Sequence, residues 1–151
     1  MSDSSGDQNL KSPAPSWYWV VAILGMVWYV FGVMQYMASH SATTESLMAQ
    51  GMAAEQASVM LSLPWWMDFS FGIGVFAGLL GSLCLLLRKQ MALPFFAASV
   101  IFSVILLTGH FTPRIFAVLA IGQVVILIVV ITIAIALFMF TRRCITRGWL
   151  S

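Results

Sequence analysis

Four apolar stretches constrain this chain more than anything else in it: residues 17–39, 65–87, 91–109 and 115–140. Each is long enough to cross a bilayer, which takes about 20 mostly apolar residues for a hydrocarbon core roughly 30 Å thick. Inside lipid every backbone N–H and C=O must find its partner within the protein, so such stretches form helices. The charges agree with this reading. Only 8% of the residues are charged and 61% are hydrophobic, whereas a soluble domain is about 25% charged. Seven basic and five acidic side chains cannot cover a water-soluble domain of 151 residues. The expected fold is therefore an all-α membrane protein, a four-transmembrane-helix bundle occupying residues 17–140.

The first stretch resembles a secretory leader only superficially. It follows an acidic-tinged, Ser- and Pro-rich segment and ends without a small-residue cleavage site before a soluble domain, so it is expected to be a permanent span. Residues 1–16 have the composition of a disordered cytoplasmic tail.

Orientation follows from the basic residues. Lys11 precedes the first span, Arg88 and Lys89 join the second to the third, and Arg142, Arg143 and Arg147 follow the fourth, in a basic tail of residues 141–151. The opposite side holds only Arg114. Both termini are thus expected in the cytoplasm. Trp17, Trp19 and Trp149 would belong to the inner aromatic belt, and Trp65 and Trp66 to the outer one.

Helix boundaries carry local signals. Ser16 is suited to cap the first span, and Thr112 followed by Pro113 suits the start of the fourth. Pro64 opens the second span, and Pro94 falls in the first turn of the third, where its missing donor is tolerated. The loop 88–90 is short enough to force a tight hairpin. In the outer loop, residues 40–63, Leu47, Met48, Met52, Val59 and Met60 recur at loosely helical spacing, broken by Gly51. One or two short amphipathic helices are expected there.

Helices in lipid gain nothing hydrophobic by touching, so contact faces are marked by small residues. Ser70, Gly74, Gly78 and Ser82 recur every four residues, with Ala77 and Gly81 beside them, and Gly25 and Gly32 form a similar stripe on the first span. The stripe on span two has two readings: packing inside the bundle, or a homo-oligomer interface.

Gln35, Ser39, Ser70, Thr108 and His110 lie in the outer third of the membrane, and Gln123 is about 12 Å along its helix. Nothing ionisable sits at mid-membrane, which counts against an ion-coupled pump. The expected ligand-binding residues are Trp28, Gln35, Tyr36, Asp68 and Gln123: aromatic faces to stack on a ring, and amides and a carboxylate for its hydroxyls. Asp68 also suits the start of a helix without any function, or a pair with Arg114.

Met34, Met37 and His40 would suit copper(I), but methionine is an everyday apolar filler, and neither metal nor cofactor is expected. No phosphate loop, nucleophile elbow or paired acids are present, so enzymatic activity is not expected. Cys84 and Cys144 read as plain thiols.

Several runs resemble a family of small four-span bacterial inner-membrane proteins labelled hypothetical or "sugar transporter". They are W-Y-V-F-G-V-M-Q-Y-M over 28–37, L-P-W-W over 63–66, G-V-F-A-G-L-L-G-S-L over 74–83, L-L-L-R-K over 85–89 and R-G-W-L over 147–150. The resemblance implies a transporter of small, sugar-like solutes and assigns no catalytic residue. The other expectation is a non-transporting structural or accessory membrane protein.

Overall fold

The computed structural model describes residues 13–111 and 121–150, except for the side chains of residues 121–123. Within them the chain forms six helices and no strand: α1 (Ser16–His40), α2 (Thr44–Ala49), α3 (Ala54–Leu61), α4 (Trp65–Leu86), α5 (Ala92–His110) and α6 (Ile121–Thr146). Four of them, α1, α4, α5 and α6, are long and apolar enough to span a membrane. The protein is an all-helical membrane bundle.

α4 is its central helix. It packs between α1 and α5, and α5 in turn packs against α6. Half of the most apolar part of α4 is buried, against 17% for α1 and 22% for α6. The outward faces of α1 and α6 carry exposed Val20, Ile23, Leu24, Val27, Ile126 and Ile128. In water such faces would drive association; in hydrocarbon they are the solvated side.

Small residues explain how α4 can sit so deep. Ser70, Gly74, Gly78, Gly81 and Ser82 are all buried, and their neighbours are residues of the same chain. A Cβ at Gly74 would lie 3.6 Å from Ser103 Oγ and 3.7 Å from the Ser99 carbonyl oxygen, so α4 and α5 meet almost backbone to backbone. At Gly81 a Cβ would come within 3.1 Å of the Phe96 ring. At Gly78 it would overlap the Tyr29 ring itself. On α1, a Cβ at Gly25 would be 3.2 Å from Leu137 of α6, and one at Gly32 would be 3.3 Å from Val75 of α4.

The helix ends depart from expectation in informative ways. Pro15, not Ser16, is the N-cap of α1: its extended backbone (φ −66°, ψ 157°) supplies the break one residue earlier, and no side chain caps the helix. Pro64 likewise stands at the N-cap of α4 rather than inside it. α6 continues beyond residue 140 to Thr146, so Arg142 and Arg143 are helical rather than part of a separate tail. Leu137, Thr141 and Cys144 are all buried, at helical spacing of four and three, and this contact stripe carries the helix past the end of the apolar run. Residues 1–12, Thr112, Pro113, Arg114 and the beginning of the expected fourth span lie outside the described residues.

In the loop between α1 and α4, Thr43 and Ser46 cap α2 reciprocally: Ser46 N–H donates to Thr43 Oγ1 (3.2 Å) and Thr43 N–H to Ser46 Oγ (2.9 Å). Gly51, at φ 91°, reverses the chain before α3.

Candidate functional site

α1 runs from one end of the bundle to the other and α4 returns, so the last turn of α1 faces the first turn of α4. That juxtaposition builds a polar cluster at the end bearing Glu45, Glu55 and Asp68, called here the acidic end. His40 Nε2 lies 3.2 Å from Asp68 Oδ2, and both side chains are about half exposed, at 48% and 46%. His40 Nδ1 lies 3.1 Å from the Tyr36 carbonyl oxygen, one turn back. Both ring nitrogens therefore face oxygen atoms. The Tyr36 ring stands edge-on to His40 at 4.6 Å and is flanked by Phe71 (5.6 Å) and Phe76 (5.8 Å). Gly72 makes room for it: a Cβ there would meet Tyr36 Oη at 2.9 Å.

Of the expected ligand-binding residues, Tyr36 and Asp68 come together, and His40 joins them. Gln35 does not. It is exposed, turned 100° around α1 from Tyr36 by the helical repeat. Trp28 is half-buried two turns away and packs with the apolar cluster around Tyr18, Tyr29 and Leu85. The side chain of Gln123 lies outside the described residues. Trp28, Gln35 and Tyr36 are therefore not brought together: Trp28 lies about 10 Å along α1 from the other two, and Gln35 and Tyr36 point about 100° apart. Met34 and Met37 are exposed, and no group of three His, Cys, Asp or Glu side chains converges among the described residues.

Polar groups inside the bundle are satisfied within the chain. Tyr29 Oη and Ser99 Oγ share a buried hydrogen bond of 3.0 Å between α1 and α5. Ser70, Ser82 and Thr141 donate to carbonyls one turn back, at 2.7, 3.0 and 2.8 Å. His110 Nδ1 lies 2.9 Å from the Leu106 carbonyl oxygen. Among the described residues, no buried side-chain nitrogen or oxygen lacks a partner.

The opposite, basic end is closed by a clamp that the sequence reading did not find. After α6, Gly148 adopts φ 69°; its N–H donates to the Ile145 carbonyl (3.0 Å) and that of Trp149 to the Cys144 carbonyl (2.9 Å). This is a Schellman turn. It folds the last residues back onto the α4–α5 hairpin, where Arg88 Nε donates to the Trp149 carbonyl at 2.8 Å and Gln90 Nε2 to that of Leu150 at 3.2 Å. The hairpin has its own Schellman turn, with Arg88 at φ 56° where a glycine would be usual. Tyr18 donates to the Leu85 carbonyl beneath it. Trp17 packs edge-on to Phe140 (5.5 Å) and Trp149 (5.6 Å). Gly148, just past a basic last turn, was the readable signal; the carbonyls it presents to Arg88 were not.

Beside the clamp runs an open groove of about 450 Å³, lined among others by Trp17, Met139, Phe140, Arg143, Arg147 and Trp149.

No family model matches the chain, and neither the curated proteins nor the solved structures contain a detectable relative.

Proposed function

We propose that this chain is a multi-pass protein of a bacterial inner membrane, with both termini and the basic end in the cytoplasm, and that it serves as a structural or accessory membrane protein rather than a carrier. The observation behind this reading is the filled interior. Tyr29 occupies the notch at Gly78, and the buried polar side chains described are bonded within the chain. A solute path needs polar groups with bonds to offer along its length; here they are taken up within the chain, between helices at Tyr29 and Ser99 and on carbonyls of their own helix at Ser70, Ser82, Thr141 and His110. In this reading the α4 stripe serves packing within one chain rather than an interface between copies. Purified protein in liposomes should take up labelled mono- and disaccharides no faster than empty liposomes do. Saturable uptake would overturn the proposal. The orientation has its own test: a periplasm-active reporter should be silent after Leu150 and active after Gln50.

A second reading, a sugar-like solute transporter, is favoured by the acidic-end cluster. Tyr36, His40 and Asp68 offer a ring face and half-exposed polar groups, and Trp65 stands 79% exposed nearby in sequence. In that reading Asp68→Asn abolishes uptake while the protein stays folded.

A further inference from the structure

We infer that the groove at the basic end is a binding site for an anionic phospholipid, with the phosphate held by Arg143 and Arg147 and an acyl chain lying along Ala136, Met139 and Phe140. Positions 136, 139, 140 and 143 recur at spacings of three and four on α6, and Arg147, whose N–H still donates to the Arg143 carbonyl in the turn that ends the helix, extends the same stripe. Along that stripe the chemistry changes from apolar to cationic over about 10 Å, the seven-residue rise from Ala136 to Arg143. A phospholipid changes in the same sense, from hydrocarbon to phosphate. A soluble anion would have no use for the apolar floor, and a neutral lipid none for two guanidinium groups.

The walls are built rather than incidental. The Arg147 guanidinium lies 5.2 Å from the centre of the Trp149 ring. Trp149 is itself fixed by the Schellman turn, by the Arg88 bond to its carbonyl and by Trp17. Stacking on an indole face leaves the in-plane N–H donors of the guanidinium directed outward, the arrangement a phosphate needs. A second groove adjoins the first along Met139, Arg142, Arg143 and Thr146, so the cationic rim is continuous. The carboxylate side chains among the described residues, Glu45, Glu55 and Asp68, all lie at the other end, where none can compete for these arginines. Basic pockets of this kind at a membrane surface favour anionic headgroups. The inference requires only that the basic end reach a lipid–water interface, whichever way the protein is inserted, so it stands apart from the accessory-protein reading.

The test is thermal unfolding of the purified full-length protein in neutral detergent. It is titrated in parallel with phosphatidylglycerol, with phosphatidylcholine of the same acyl chains, and with inorganic phosphate. Phosphatidylglycerol should raise the melting temperature with a half-point roughly thirtyfold below that of phosphatidylcholine, as expected for two basic contacts. Inorganic phosphate should have no comparable effect. Arg143→Gln should weaken the phosphatidylglycerol response about fivefold, while Lys89→Gln, which removes the same charge from the same end outside the groove, should leave it unchanged. Equal half-points for the two lipids in the unaltered protein would overturn the inference, and that comparison needs no variant to fold. So would equal losses in Arg143→Gln and Lys89→Gln, which would mean diffuse attraction, or a phosphate response matching that of the lipid.

Discussion

Tyr29 and Tyr36 stand a heptad apart on α1, and each is received by a glycine of α4: Gly78 for Tyr29 and Gly72 for Tyr36. The two contacts have the same ingredients and different consequences. Tyr29 is 4% exposed, backed by Phe96 at 6.1 Å, and its hydroxyl is bonded to Ser99 of a third helix. Tyr36 is only half-buried, and beside it lie the half-exposed His40 and Asp68. A tyrosine–glycine contact is thus neither structural nor functional by itself. What decides is whether a third element closes over the ring. The same contrast separates the two ends of the bundle. At the basic end, bonds join residues 60 to 67 positions apart. At the acidic end, apart from the His40–Asp68 pair, the side-chain bonds described are local, reaching three or four residues.

The largest effect should come from filling the two notches. Gly78→Ala places a methyl inside the Tyr29 ring, and the ring has nowhere to go without breaking the Ser99 bond. Overpacking costs about 1–3 kcal/mol and a lost hydrogen bond about 1 kcal/mol, so melting in detergent should show a loss of about 3 kcal/mol. Gly72→Ala meets only the far end of a ring that can swing outward, and should cost less than about 1 kcal/mol. Equal losses would mean that Tyr36 is held as firmly as Tyr29, and the contrast would fail. Leu80→Ala, on the exposed side of α4, is the neutral reference.

Removing the hydroxyls sharpens the same point at a smaller scale. Tyr29→Phe should cost about 0.6–1 kcal/mol, the usual worth of an interhelical hydrogen bond in membranes, and a double-mutant cycle with Ser99→Ala should recover that coupling. Tyr36→Phe should cost nothing measurable, since no bond is made by its hydroxyl among those described. A zero coupling between Tyr29 and Ser99 would reduce their bond to mere proximity.

At the clamp, Arg88 combines a strain with a bond. A left-handed backbone costs a non-glycine residue roughly 1–2 kcal/mol, and its side chain ties the hairpin to the Trp149 carbonyl. Arg88→Ala keeps the strain and loses the bond, so stability should fall by about 1 kcal/mol. Arg88→Gly loses the bond but relieves the strain, and should melt above Arg88→Ala by about 1 kcal/mol. The reverse order would show that the turn is not strained.

The four spans were legible because hydrocarbon leaves the backbone no alternative to a helix, and apolar length alone reports that. The small residues of α4 were legible for a related reason: only close approach makes glycine useful at Gly74 and Gly78. Direction around a helix was much less so. Gln35 was expected beside Tyr36, yet it points about 100° around α1 from it, because position along a helix follows from residue number and facing depends on which neighbour α1 chooses. The clamp was hidden for another reason. Its bonds run from side chains to carbonyls of Trp149 and Leu150, and a carbonyl is present at every position of any sequence. His40 and Asp68 are intermediate: each was visible, but their pairing required knowing that α1 and α4 meet end to end.

A small effect is also the one that bears most on what the acidic end is for. A carboxylate–imidazole contact whose members are both about half exposed gains little over hydration, and even fully charged surface pairs contribute only roughly 0–1 kcal/mol. Asp68→Asn should therefore shift stability by less than about 0.5 kcal/mol, and the shift should shrink further as salt is raised. The Tyr29 contact predicts the opposite behaviour for a group enclosed by three helices, where removing one partner strands the other. If Asp68→Asn costs 2 kcal/mol or more on the melting curve, the pair is part of the scaffold and the two ends are built alike. If the cost is as small as expected, the carboxylate and imidazole 3.2 Å apart contribute little to the fold. Asp68 is then the substitution with which to separate folding from recognition: any loss of solute uptake or partner binding that accompanies an unchanged melting curve belongs to the site itself.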